Sequence, residues 1–170
     1  MGSTECINWH PRLEIQKWHR EEDRLAGLPP DAVELYDGNL LLNAGIDRLL
    51  DLLKGAGGQV MDATHCRIGV GNDATAAVAT QTDLIAANGA STRQWKLVNV
   101  GPTRTAETLT YSATFGSAEA NFTWAEWGTD FGTADGTSGS TAPMLNRKVQ
   151  AMGTKASGSS WTTNVSITVA

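Results

Sequence analysis

The chain has 170 residues, which suits one domain, and its formal net charge is −5 at pH 7. This charge excludes a general nucleic-acid binder, which needs a basic surface, and no apolar run approaches the roughly 20 residues of a membrane-spanning helix. Residues 1–23 lack the apolar core of a signal peptide, so we expect the chain to fold in the cytoplasm of the cell that makes it. Cys6 and Cys66 are expected to stay reduced there.

Residues 1–38 differ from the rest of the chain in composition. They combine a charged cluster with two tryptophans and with Pro29-Pro30, which stops a helix. The alternatives are a partly helical segment packed on its own domain and an arm that docks on a neighbouring subunit. We expect an N-terminal arm, followed by a β-rich domain at residues 39–170. The partner-binding residues of the arm would be Ile7, Trp9, Leu13, Trp18 and Leu28.

The clearest helix is predicted at residues 39–55. Asn39 or Asn43 can cap its start, and Gly55 suits its C-terminal end. Gly45, inside the helix, costs about 1 kcal/mol relative to alanine, which indicates close packing. Apolar residues with helical spacing predict a face that packs on a sheet. These residues are Leu42, Ile46, Leu49, Leu50 and Leu53.

Alternation of apolar and polar residues predicts β-strands in the rest of the chain. The cleanest alternation is at residues 160–169. A β-hairpin with an aromatic inner face is predicted over residues 107–128, with its turn at residues 116–119. Shorter strand candidates lie at 66–70, 94–100 and 144–151.

These elements predict a mainly β fold. We expect an antiparallel β-sandwich or barrel of about six to eight short strands, with one covering α-helix and the N-terminal arm outside it. A core of this size needs no metal or disulfide to fold. Besides the helix residues, the expected core consists of Ile68, Leu97, Leu109, Tyr111, Phe115, Phe122, Trp124, Val165 and Ile167.

Glu126 is a charged residue at a position where an apolar one is expected. In the alternation of its strand it shares a face with Phe122 and Trp124. A buried carboxylate must be paired or neutral, and Arg147 in a later strand is the expected partner. We therefore predict a structural ion pair between Glu126 and Arg147. The alternative, a general acid, has no second catalytic residue beside it.

No motif in the sequence predicts catalysis. Gly69-Val70-Gly71 lacks the third glycine of a dinucleotide fingerprint and is typical of a tight turn. Cys6 with His10, and His65 with Cys66, do not have the spacing that defines a zinc site. We therefore expect a non-enzymatic protein with no catalytic residue, no cofactor and no metal ligand.

Residues 129–142 are rich in Gly, Ser, Thr and Asp and have few apolar anchors. This composition predicts a loop that is mobile or is stabilised by contact with a partner. Trp127 precedes the loop, and an exposed tryptophan can stack on a sugar. A carbohydrate-binding surface at Trp127 or the loop is therefore an alternative.

The chain resembles small virion proteins of tailed bacteriophages over residues 39–170. In addition, Glu126-Trp127-Gly128 is similar to the E-x-G element of phage tail-collar fibre domains, although Trp127 stands where an aliphatic residue is expected. The matching segments are 39–46 (NLLLNAGI), 67–72 (RIGVGN), 81–84 (QTDL), 120–128 (ANFTWAEWG), 145–148 (LNRK) and 153–155 (GTK) followed by 161–169.

This resemblance implies a structural part of a phage particle, repeated by symmetry, with no catalytic residues. The first expectation is a capsid decoration (cement) protein that binds the major capsid protein as a homo-oligomer, such as a trimer. The alternative is a tail fibre adaptor, a collar piece or another tail-associated protein. Under either interpretation the protein would be located in the virion. Neither nucleic acid nor a membrane is expected as a partner.

Overall fold

A computed structural model of the chain describes residues 8–56 and 60–170. In chain order the elements are β1 (Trp9–Trp18), α1 (Glu21–Leu25), β2 (Ala32–Asp37), β3 (Leu40–Leu41), α2 (Asn43–Lys54), β4 (Arg67–Gly71), β5 (Arg93–Leu97), β6 (Val100–Thr105), β7 (Thr108–Phe115), β8 (Thr123–Asp130), β9 (Met144–Thr154) and β10 (Ser160–Val169). The strands form two five-stranded antiparallel sheets. Sheet I has the order β2-β1-β10-β7-β6, and sheet II has the order β3-β9-β8-β4-β5.

The two packed sheets confirm the predicted mainly β, antiparallel sandwich. Each sheet keeps two edge strands, so the barrel alternative does not form. The alternation predicted for β7 and β10 is confirmed over most of their length, since Tyr111, Phe115, Val165 and Ile167 are buried between the sheets, whereas Val169 at the end of β10 is exposed. On the outer face their threonines meet across the strand pair, as between Thr114 and Thr162 at 2.9 Å. A period of two thus assigns each side chain of these strands to its face.

The predicted hairpin over residues 107–128 is wrong. Its two strands, β7 and β8, lie in different sheets, and the chain crosses from one sheet to the other between them. Trp124 of β8 packs edge-on against Phe115 of β7 and against Trp161 of β10, at 5.0 Å and 4.8 Å between ring centroids. The aromatic residues do anchor the core, but they meet across the sandwich and not within one sheet.

In the described part of the N-terminal segment, β1 and β2 are strands of the sandwich and do not form a separate arm. β1 pairs with β10 along its whole length, from Trp9 opposite Val169 to Trp18 opposite Ser160. Leu13 and Ile15 of β1 are fully buried between the sheets. The physical reason is that β10 needs a partner on each side, and β1 satisfies one of its two rows of backbone hydrogen bonds.

The expected arm residues are therefore separated by the fold. Leu13 and Trp18 are buried, and Trp9 is half-buried against the core. Leu28 is 52% exposed, although its carbonyl oxygen accepts a hydrogen bond from Trp18 Nε1 at 2.9 Å. Ile7 lies outside the described residues. The division into an arm at 1–38 and a domain at 39–170 does not match this fold, since β1 and β2 are strands of sheet I.

Helix α2 is confirmed, but the face that it packs is not the expected one. Its C-terminal end at Gly55 has the left-handed conformation (φ 69°) that favours glycine. At its start the N-cap residue is Leu42, and neither Asn39 nor Asn43 takes that role. The buried helix residues are Gly45 and Arg48. The predicted apolar face points away from the sheets, apart from Leu42. Of the remaining expected core residues, Leu97 and Leu109 are half-buried.

Gly45 explains how α2 packs closely on β9. A Cβ atom added at Gly45 would lie 2.4 Å from the carbonyl oxygen and 2.9 Å from the Cα atom of Leu145 in β9. The backbones of α2 and β9 thus approach too closely for any side chain. The close packing that Gly45 indicated is confirmed, and it rotates the leucine stripe outwards.

Replacing Gly45 with alanine is expected to destabilise the chain by about 1–3 kcal/mol, because the added methyl group meets backbone that cannot move aside. In an exposed helix interior the same change stabilises by about 1 kcal/mol, so the sign itself tests the packing. Urea unfolding measures the difference. Gly136→Ala is the matched control, since nothing lies within 4 Å of a Cβ atom there. A stabilised Gly45→Ala variant would mean that α2 does not pack closely on β9.

Candidate functional site

The outward face of α2 carries a cluster of exposed apolar side chains, here called the α2 stripe. It consists of Ile46, Leu49, Leu50 and Leu53, which are 40%, 37%, 57% and 84% exposed. Apolar side chains clustered on one helix face mark an interaction surface more often than scattered ones do. The sequence analysis found these residues but assigned them to the core, because helical spacing defines a face and not what covers it.

An apolar groove of about 510 Å³ adjoins the α2 stripe. Leu49 and Leu52 of the helix form one side, and Trp9, Phe131 and Ile167 are among the residues that complete it. Leu49 belongs to both features, so the stripe and the groove form one continuous apolar region at this end of the sandwich.

Glu126 and Arg147 come together as the sequence analysis expected. Arg147 Nε donates to Glu126 Oε2 at 2.6 Å, and neither side chain is exposed. The backbone N–H groups of Ile85 and Ala86 also donate to the carboxylate, at 3.1 Å and 2.7 Å. The carboxylate is thus fully paired by a cation and two amides, which fits a structural role.

Glu126 does not share a face with Trp124, contrary to the expected alternation. The pairing of β8 with β9 shifts register between these two residues, as at a β-bulge. The shift places Glu126 beneath the 72–92 loop and directs Trp127 into the core, where it is fully buried. Trp127 therefore offers no surface for a sugar. All six tryptophans of the chain are buried or half-buried.

The ion pair fastens the long connection between β4 and β5. Arg147 also donates to Gln81 Oε1 at 2.9 Å and to the carbonyl oxygen of Thr75 at 3.0 Å. Both acceptors belong to the 72–92 loop, as do the two amides that bind Glu126. One buried pair thus holds this loop against sheet II at three places along its length.

Arg93 forms a second clamp on the same loop. Its guanidinium donates to Asp83 Oδ2 and to the carbonyl oxygen of Leu84, each at 2.7 Å. Asp83 Oδ2 also accepts the backbone N–H of Ser140 at 2.9 Å. The 72–92 loop and the loop that precedes β9 are thereby joined to each other.

The predicted loop at residues 129–142 is ordered by its own domain. Its first two residues belong to β8, and Asp130 accepts from Arg67 Nε at 2.8 Å. Further along, Arg67 donates to the carbonyl oxygen of Ala134 at 2.7 Å, and Asp135 accepts the N–H of Leu97 at 2.7 Å. These contacts replace the partner that the composition suggested. A few polar anchors suffice because two of them bind the backbone of the loop or of the neighbouring strand β5.

Lys155 is a buried cation that the sequence analysis did not single out. Its ammonium group donates to the carbonyl oxygen of Gly116 at 2.7 Å, to Asn121 Oδ1 at 2.9 Å and to the carbonyl oxygen of Ser159 at 2.9 Å. Burial lowers the pKa of Lys155 to about 8. At pH 7 the group is therefore mostly protonated, and each of its three N–H bonds has an acceptor. It joins the β7–β8 crossing to the β9–β10 connection.

Replacing Lys155 with methionine is expected to destabilise the chain by about 2–3 kcal/mol, because buried acceptors lose their donor while the chain length is kept. Lys148→Met is the matched control, since Lys148 donates to the carbonyl oxygen of Asp37 in an exposed bond. Guanidinium unfolding of both variants measures the difference. Equal and small losses would show that the Lys155 contacts contribute little.

The metal-like and nucleotide-like motifs have structural explanations. Cβ atoms at Gly69 and Gly71 would lie 2.5 Å from the Trp95 ring and 2.4 Å from Glu126 Oε1, so both glycines make room for side chains. They lie inside β4 and not in the expected turn. Cys66 is buried, and burial raises the pKa of its thiol. Among residues 8–56 and 60–170, no three His, Cys, Asp or Glu side chains cluster as a metal site would require.

Comparison with known proteins finds no matching protein family, no matching curated protein and no matching solved structure. Neither helix in the described part of the chain is long and apolar enough to cross a membrane. The proposal for function therefore depends on two features of this structure. They are the two loops held by buried arginines and the continuous apolar region around α2.

Proposed function

We propose that the chain is a non-enzymatic structural component of a tailed-phage virion, and specifically a capsid decoration (cement) protein that binds the major capsid shell. The observation that carries the proposal is the α2 stripe, with its four exposed leucine and isoleucine side chains. The loops of the same domain are held by contacts within the domain. An exposed apolar face of this kind is typical of a subunit that works in contact with other proteins. The phage setting comes from the resemblance of residues 39–170 to small virion proteins.

The attachment surface in this proposal is a face of the folded domain. Because β1 and β2 are strands of sheet I, we assign the contact to the folded domain and not to an arm formed by residues 1–38. The buried ion pairs of Glu126, Arg93 and Arg67 keep the loops over sheet II in place. A stiff domain with an apolar face loses little conformational entropy on docking, which favours binding through weak contacts repeated by symmetry.

The experiment that tests the proposal counts copies of the chain in purified particles of the phage that encodes it. Quantitative mass spectrometry against the major capsid protein should find hundreds of copies per particle, located on the head by immunogold labelling. A handful of copies found only on tails would overturn decoration and favour the alternative, a tail fibre adaptor or collar protein.

Particles that lack the chain should assemble but release their genome at a lower temperature than complete particles. The reason is that a protein bound to the assembled shell, and not to free subunits, stabilises the shell by mass action. DNA release monitored by dye fluorescence during heating measures the shift. Adding the purified chain back should restore it, and unchanged release would count against a cementing role.

A further inference from the structure

The α2 stripe is flanked on one side by two exposed charges of opposite sign. Asp47 and Lys54 are seven residues apart, which is close to two helical turns, so they lie on the same flank. Leu50 lies between them, three residues after Asp47 and four before Lys54. The negative charge is thus in the first half of the helix and the positive charge is at its last residue.

We propose that the α2 stripe binds a second copy of the chain, with the two α2 helices packed antiparallel about a two-fold axis near Leu50. A two-fold contact joins the same surface on both copies, so the leucine stripe of one faces the leucine stripe of the other. In the antiparallel arrangement Asp47 of each copy faces Lys54 of the second copy. In a parallel two-fold arrangement the flanks with Asp47 and Lys54 would lie on opposite sides of the contact, so these charges would not pair with each other.

Two further features of α2 fit this occupant. The helix has twelve residues and its four stripe residues span two turns, the spacing by which antiparallel helices interlock their side chains. Antiparallel packing also sets the positive N-terminal end of one helix dipole beside the negative C-terminal end of the other. Asp51 lies one turn after Asp47 and further from the stripe, so it adds negative charge on that flank without entering the contact.

The area involved predicts a weak dimer. Stable complexes bury about 800 Å² on each partner, whereas four partly exposed side chains supply a few hundred. We therefore expect association at micromolar to millimolar concentration. The inference assigns the α2 stripe to the contact between copies of the chain, so the shell contact of the proposed function would lie on another face of the domain. It rests on the proposed function only for the setting. Its test in solution and the copy count in particles can fail independently.

Sedimentation velocity of the full chain from roughly 10 µM to 1 mM should show a monomer–dimer equilibrium. Leu53→Glu should abolish the dimer, because it places a charge in the stripe at a site too exposed to affect folding. Leu25→Glu is the matched control, since Leu25 is 71% exposed in α1 and should leave the dimer unchanged.

Charge reversal tests the antiparallel arrangement. Asp47→Lys and Lys54→Asp should each weaken the dimer about tenfold by placing like charges together, and the double variant should restore it. A chain that is monomeric at every concentration overturns the proposal. A dimer that tolerates Leu53→Glu, or one that the double variant does not restore, overturns it as well.

Discussion

Replacing Glu126 with alanine is expected to lower the free energy of unfolding by about 3–5 kcal/mol. The change leaves Arg147 charged at a position with no solvent exposure. It also removes the acceptor of two backbone amides in the 72–92 loop, those of Ile85 and Ala86. Because a domain of this size is stable by about 5–15 kcal/mol, a loss of this size removes a large part of the total.

The measurement is equilibrium unfolding in urea, with Glu22→Ala as the control for an exposed ion pair. Glu22 pairs with Arg20 at 2.7 Å, but both side chains are more than half exposed, so its removal should change stability by less than about 1 kcal/mol. A double variant with apolar residues at positions 126 and 147 should lose less than Glu126→Ala. Losses of equal size for Glu126→Ala and Glu22→Ala would show that the buried pair is not a structural centre.

The pair was predicted from an alternation that the bulge interrupts. It forms because the other face of β8 is also buried at Glu126, beneath the 72–92 loop. The surroundings of the Glu126–Arg147 pair could not be predicted from the sequence. The bulge between Trp124 and Glu126 changes the face of every later residue in β8, and alternation alone does not reveal a bulge. The sugar-binding role considered for Trp127 followed from missing this shift.

The same limit applies to the partners of β7 and β8. Alternation assigns each side chain to a face, and in a sandwich the inner faces of two sheets have identical patterns. A turn-rich connection such as residues 116–119 is compatible with a hairpin and with a crossing between sheets. Lys155 is the residue that holds the crossing, and it lies far along the chain at the end of β9.

The N-terminal strand, in contrast, did have a local signal. Pro11, Leu13 and Ile15 alternate with polar residues, which is the pattern of a half-buried strand. The charged residues that follow at 20–24 and the proline pair gave the segment the overall composition of an arm. Average composition over 38 residues therefore hid a ten-residue strand.

A chain that starts at Asp37, without β1 and most of β2, is expected not to fold. Leu13, Ile15 and Trp18 leave the core, and each such side chain contributes roughly 1.5–3 kcal/mol when buried. β10 also loses one of its two strand partners along its whole length. The sum of these losses is comparable to the total stability of about 5–15 kcal/mol, so circular dichroism should show no cooperative unfolding transition.

Point variants make the same test in a chain that still folds. Leu13→Ala is expected to destabilise by about 2–5 kcal/mol, because it leaves a cavity between the sheets, while Leu25→Ala at an exposed site should stay within about 0.5 kcal/mol. If the chain from Asp37 onward unfolds cooperatively and Leu13→Ala is neutral, then residues 1–38 form a separable arm. If both lose stability as expected, β1 is a structural strand of the sandwich and attachment depends on the folded surface.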